Sequence, residues 1–191
     1  SQQEINLLME YQKQEYTALH TRGTGQGIDL EYQYQDIRYQ FSPADFIQVN
    51  GQINDRMIEQ ALSWLTIDKE DTVLDLFSGI GNFSLPLAQR AKHVFAVEGV
   101  SNMVARLKQN AKSNQLDNVS AHQADLSQLQ QKSKPKWLRP IDKLLLDPAR
   151  DGAYEVVKKI PLLSPKQILY VSCNPATMAR DLKVLLAADY R

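Results

Sequence analysis

From Thr72 to the C-terminus, short apolar runs alternate with amphipathic stretches, and this alternation constrains the fold more than any other feature. "TVLDLF" (72–77), "HVFAVE" (93–98), "VSAHQAD" (119–125), "KLLLD" (143–147) and "QILYVSC" (167–173) read as strands. The stretches between them carry helical spacing. "FSLPLAQRA" follows the first strand across a glycine turn. "SNMVARLKQNAKSN" places Met103, Val104, Leu107 and Ala111 on one face, with Ser101 as the expected N-cap. A helix over 176–187 turns Met178, Leu182, Leu185 and Leu186 inward. Strands separated by crossover helices predict a doubly wound α/β sheet with parallel strands. Such sheets bind ligands beyond the carboxyl ends of their strands.

The N-terminal third has a different rhythm. Residues 4–14 have the pattern of a short helix. Leu30, Tyr32 and Tyr34 alternate, as do Ile37, Tyr39 and Phe41, and Gly23, Gly25 and Gly27 punctuate a turn before them. This predicts a small antiparallel region. Ile53, Met57, Ile58, Ala61, Leu62 and Leu65 then follow helical spacing. The expected division is a small α+β region over 1–47 and an α/β domain over 48–191.

Composition narrows the class. The chain has 191 residues, and Lys plus Arg (22) balances Asp plus Glu (22). A nucleic-acid binder is more often basic, which leaves a local patch as the way to hold one. No apolar run approaches the roughly 18 residues of a membrane helix. The N-terminus lacks the pattern of a signal peptide. One cysteine, Cys173, rules out an intrachain disulfide and a cysteine-held cluster, so a cytoplasmic location is expected. The absent initiator Met and the stop after "LLAADYR" suggest a piece of a longer protein. His20, His93 and His122 have no metal-ligand spacing.

The strand ends carry the candidate chemistry. Strand one runs into "DLFSGIGNFS", where Gly79 and Gly81 permit a tight turn and close approach of a ligand. Ser84 stands where a dinucleotide fingerprint has its third glycine. Glu98 closes strand two, where a carboxylate accepts ribose hydroxyls. NAD and S-adenosylmethionine both fit; the missing glycine and the lack of a pyrophosphate cation favour S-adenosylmethionine over NAD. A nucleotide-free structural turn is the alternative. Asp125 ends strand three, either as an acceptor for an adenine amino group or as a solvated loop residue. Asp147 ends strand four before Pro148, either as a ligand at the sheet edge or as the start of an Asp-Pro turn. Cys173 ends strand five just before a helix, whose N-terminal field favours a thiolate. Free cysteine is also among the most buried residue types, so core filler competes with nucleophile. In "QKSKPKWLRP", Lys132, Lys134, Lys136 and Arg139 surround Trp137. That loop reads as solvated, with phosphate binding and base stacking as the alternative.

"DFIQVN", "DLFSGIGNFSLPLA", "VEGV", "LLLDPARDGA" and "YVSCNPATMARD" occur in this order. Together they resemble the RNA 5-methyluridine methyltransferases over roughly residues 42–191, most closely those acting on large-subunit ribosomal RNA, with the tRNA enzymes next. The resemblance implies a Rossmann-like S-adenosylmethionine-dependent methyltransferase fold whose last strands lie outside this sequence. It implies that Cys173 is the nucleophile and that Gln48, Phe77, Asn82, Glu98, Asp125 and Asp147 contact S-adenosylmethionine. It implies an RNA substrate, ribosomal before transfer RNA. Family members carry an N-terminal RNA-binding domain, and the ribosomal enzymes carry a cysteine-held iron–sulfur cluster; with Cys173 alone this sequence is expected to hold no such cluster, and by its length not that domain. Many have Cys where this chain has Ser78, which makes Ser78 dispensable. The family's general-base glutamate falls beyond the cysteine helix, past Arg191. These departures imply a chain that binds the cofactor, turns over poorly and stalls with RNA as a covalent adduct, for want of the base that removes the carbon-5 proton. An amino-nitrogen methyltransferase and a non-catalytic S-adenosylmethionine-binding module remain the alternatives.

Overall fold

A computed structural model of the chain describes residues 22–23, 28–126, 137 and 139–191. The expected helix at 4–14, Gly25, Gly27 and the three lysines near Trp137 lie outside the described residues. Strands β1 (Arg22–Gly23), β2 (Ile28–Tyr34) and β3 (Ile37–Phe41) form the antiparallel sheet expected from the alternating aromatics. Tyr32 and Tyr39, opposite each other in the ladder, stack with ring centroids 4.6 Å apart. Helix α1 (Gly51–Leu65) follows, capped by Asn50, whose side chain accepts from the Ile53 N–H at 3.0 Å.

The rest is the parallel sheet. Strands β4 (Thr72–Leu76), β5 (His93–Glu98), β6 (Val119–Gln123), β7 (Lys143–Leu146) and β8 (Gln167–Tyr170) pair in the order β6-β5-β4-β7-β8, all parallel. Helices α2 (Ser84–Ala88), α3 (Ser101–Ser113), α4 (Tyr154–Val157) and α5 (Pro175–Ala187) lie among the connections. The strand order reverses direction between β4 and β7, and this switch point is where a crevice opens in such sheets. Alternate strand residues feed two cores. Val73, Val94 and Leu145 pack with the aromatic hairpin, while Leu74, Leu76, Phe95 and Leu146 pack on the opposite face.

The hairpin is attached by a side-chain imitation of a strand. On α3, Asn110 accepts from the Gln40 N–H (2.9 Å) and donates to the Gln40 carbonyl (3.1 Å). One turn later Asn114 does the same for Arg38, at 2.8 and 2.7 Å. These amides satisfy alternate backbone groups of β3 as a neighbouring strand does. Asn110 also donates to the Ile80 carbonyl (3.2 Å), so the helix, the hairpin and the glycine turn meet at one buried side chain.

Several local expectations change. Strand one stops at Leu76, because Phe77 has φ +64°, outside the strand region. The helix after the glycine turn is limited to Ser84–Ala88. Ser101 is the first residue of α3 rather than its cap; Val100 occupies the cap position, and its N–H is satisfied by the Glu98 carboxylate at 3.0 Å. Ile53 is 54% exposed while Asn54 beside it is buried, and Leu186 is 61% exposed. Trp137 is 2% exposed and packed in the second core, which removes it as a stacking platform for a base. Its neighbour Arg139 lies 4.5 Å over the Phe95 ring.

Candidate active site

A cavity of about 590 Å³ opens at the carboxyl edge of the sheet, over the switch point. Gln48, Phe77, Asn82, Glu98, Asp147 and Cys173 all line it. They come from the loop before α1, the glycine turn, and the ends of β5, β7 and β8, which are distant in sequence. Asp125 is exposed, lies two residues past the end of β6 and is not among the lining residues.

Glu98 is held from two sides. One carboxylate oxygen accepts from the Gly79 N–H and the other from the Val100 N–H, both at 3.0 Å. Each oxygen keeps a further lone pair for a ligand hydroxyl. The turn beneath it needs its glycines. Gly81 has φ +100°, and a Cβ there would lie 3.2 Å from the side chains of Leu85 and Leu107. Gly79 has φ +54° and leaves open space where a Cβ would stand.

Asn82 is fixed by a reciprocal amide pair. Its Nδ2 donates to Asn54 Oδ1 at 2.8 Å, and Asn54 Nδ2 donates back at 2.9 Å. The Tyr32 hydroxyl donates to the same Asn82 oxygen at 3.1 Å, and the Tyr39 hydroxyl donates to the Asn82 carbonyl at 3.1 Å. Asn54 is a positioning residue that the sequence reading missed. It occupies a turn of α1 otherwise read from apolar spacing, and its partner lies in a different motif.

Below the turn, Ser84 explains the missing third glycine. Its hydroxyl donates to Asp75 Oδ2 at 2.5 Å. Asp75 is fully buried, and among the described residues its other oxygen has no partner; nor does the Ser78 hydroxyl beside the cavity. Burial pushes the Asp75 carboxyl up to about 7, the Ser84 bond opposes this, and the Asp147 and Glu98 charges add to it. Burial also raises Asp147 to about 6. The Glu98 and Asp147 carboxylates thus meet at the cavity, with the Ser78 hydroxyl beside them. That donor set fits a cationic ligand bearing a diol.

Cys173 is exposed on the opposite wall, so it is not core filler. It directly precedes the cap of α5, where Asn174 accepts from the Ala176 N–H at 3.1 Å. Arg150 supplies a cation to the lining, and Phe46, 70% exposed, stands at the rim. Both lie in motifs that were recognised without these residues being singled out.

A five-stranded Rossmann-like sheet with this glycine turn and acidic edge defines the chain as a methyltransferase-type domain. A family model described as tRNA (Uracil-5-)-methyltransferase matches residues 5–189, and the chain belongs to that family. It is 48% identical to a Shewanella frigidimarina protein named 23S rRNA (uracil(1939)-C(5))-methyltransferase RlmD, over 98% of this chain and 42% of that protein. A Photobacterium angustum protein of the same name is 53% identical over 84% of this chain and 72% of its own length. The Pyrococcus abyssi tRNA (uracil-54, C5)-methyltransferase, solved with S-adenosyl-L-homocysteine, superposes with a TM-score of 0.70 at 27% identity. That match covers 82% of this chain and 37% of the Pyrococcus chain. The chain therefore spans under half of the Shewanella and Pyrococcus relatives.

Proposed function

We propose that this chain is the catalytic region of a cytoplasmic RNA uracil-5-methyltransferase, with 23S ribosomal RNA as the substrate and tRNA as the second choice. The observation that carries this reading is the single cavity on which an exposed Cys173 thiol and the Glu98 and Asp147 carboxylates converge. The names of the 48% and 53% identical relatives favour ribosomal RNA.

S-adenosylmethionine supplies an electrophilic methyl group. Glu98 accepts its ribose hydroxyls, and the Gly79–Asn82 turn, Phe77 and Gln48 frame it. Asp147 accepts from an amino group of the cofactor or the base. Asp125 is the outermost proposed contact, on the adenine side. Cys173 acts on the RNA base. Its thiolate adds to carbon-6 of the uracil, forming a C–S bond and moving the ring π electrons toward carbon-5. Carbon-5 is then nucleophilic enough to take the methyl group, whose bond to the sulfonium sulfur breaks and leaves S-adenosylhomocysteine. Transfer of the carbon-5 proton to a base then restores the double bond and expels the thiolate. A target uridine must leave its stack to enter this cavity.

The test is a 5-fluorouridine RNA spanning the relatives' target site, incubated with the chain and S-adenosylmethionine. Fluorine cannot leave as a proton, so the adduct persists. A protein–RNA mass at Cys173, absent in Cys173→Ala, is expected. Methyl transfer that survives Cys173→Ala would instead point to an amino-nitrogen acceptor, and cofactor binding without any transfer would point to a binding module.

A further inference from the structure

The loop that carries Asp147 is tied to the helix that follows Cys173 by side chains on one face of that helix. The Arg150 carbonyl accepts from Asn174 Nδ2 (3.1 Å) and from the Thr177 hydroxyl (3.0 Å). The Asp151 carbonyl accepts from Arg180 Nη2 (2.8 Å). The Ala153 N–H donates to Asp181 Oδ2 at 2.6 Å. Asp181 is fully buried, and it also accepts from the Tyr170 hydroxyl at 2.7 Å and from Arg180 at 2.8 Å. Asp181 neither lines the cavity nor belongs to the proposed chemistry.

A buried carboxylate is expensive unless fully partnered. Here the partners are the backbone and side chains that join two strand ends. The loop is shaped to admit it. Gly152 has φ +76°, and a Cβ there would stand 2.6 Å from Asp181 Oδ2, 2.8 Å from Arg180 and 3.1 Å from Thr177. Only glycine lets the loop come this close.

We propose that Asp181, with Thr177 and Gly152, is a positioning latch that holds the 147–153 loop against the helix of the nucleophile. It fixes the cavity wall opposite the glycine turn, where Pro148, Ala149 and Arg150 stand beside Cys173. Its role in the reaction rests on the methyltransferase reading; its grip on the thiol's surroundings does not.

The test uses Asp181→Asn, which keeps the shape, and Thr177→Val, which removes the hydroxyl shared between the Arg150 and Asn174 carbonyls and should fold normally. Two measurements need no RNA. Amide exchange at residues 150–153 reads the anchoring of the loop. Alkylation of Cys173 by iodoacetamide, at a pH where the thiol is wholly ionised, reads how the loop screens it. The latch predicts that both rise, at least tenfold for exchange and threefold for alkylation in Asp181→Asn, and less in Thr177→Val. Faster loop exchange with unchanged alkylation in a folded variant would overturn it, because the loop would then be anchored without governing the thiol. The 5-fluorouridine adduct should form at least tenfold more slowly in Asp181→Asn. If the unmodified chain forms no adduct, the proposed reaction falls, and the alkylation result still decides the latch.

Discussion

Asp75 makes a sharp prediction about stability. Its carboxyl is fully buried, and its titration is raised from 3.8 to about 7, chiefly by desolvation. Between those values the folded chain holds a proton that the unfolded chain releases. Stability from this group is therefore full below about pH 4 and declines as pH rises toward 7. The difference, 7 minus 3.8, is about 3 units, or roughly 4 kcal/mol at 1.36 kcal/mol per unit. Asp75→Asn removes the charge and keeps an oxygen for the Ser84 hydroxyl. It should therefore gain on the parent as pH rises. Urea unfolding of both proteins at pH 5 and pH 8 measures this directly. The variant's advantage should grow by about 2–3 kcal/mol between the two, since only the upper part of the titration falls in that interval. A stability difference that stays constant with pH, or that moves against the variant at pH 8, refutes the reasoning.

Three further outcomes follow from the geometry. Asp147→Asn should flatten the pH dependence of S-adenosylmethionine binding measured by calorimetry; the parent should bind more tightly as pH rises through about 6 and Asp147 ionises, then level off. Gly81→Ala should cost about 1–3 kcal/mol in thermal unfolding, because a positive φ and contacts at 3.2 Å to Leu85 and Leu107 act together. Asn110→Ala should cost about 2–4 kcal/mol and speed amide exchange at Gln40, since a buried hub loses its bonds to the hairpin and the glycine turn together.

The parallel sheet was legible because its central strands are buried on both faces, and uninterrupted apolar runs such as Leu144–Leu146 have few other uses. The hairpin was legible for the opposite reason, since its alternation matches one buried face. What escaped is what depends on distant partners. The exchange of Ile53 for Asn54 on the buried side of α1 follows from the amide of Asn82, which no local period announces. Leu186 looked inward by spacing alone, yet only Asp181 and Leu185 of α5 are buried. Phe77 gave no sign of its positive φ, because that conformation is favoured by glycine, asparagine and aspartate rather than by an aromatic. The cavity residues were found through motifs. Their supports, Asn54, Thr177 and Asp181, were not, because a supporting residue is defined by what it holds.

The paired asparagines of α3 also fix a register. Four helical residues advance about 6 Å and two strand residues about 7 Å, so the helix and strand repeats nearly coincide over this one span. Asn110 meets Gln40 and Asn114 meets Arg38 as the two elements run in opposite directions. A slip of β3 by one residue would bring to both amides residues whose backbone groups point toward β2, and would turn Tyr39 away from the glycine turn. The hairpin can therefore seat on the helix in one alignment, and that alignment brings the Tyr32 and Tyr39 hydroxyls to Asn82. Length changes in the Gln35–Asp36 turn are therefore tolerated only if they leave this vernier intact.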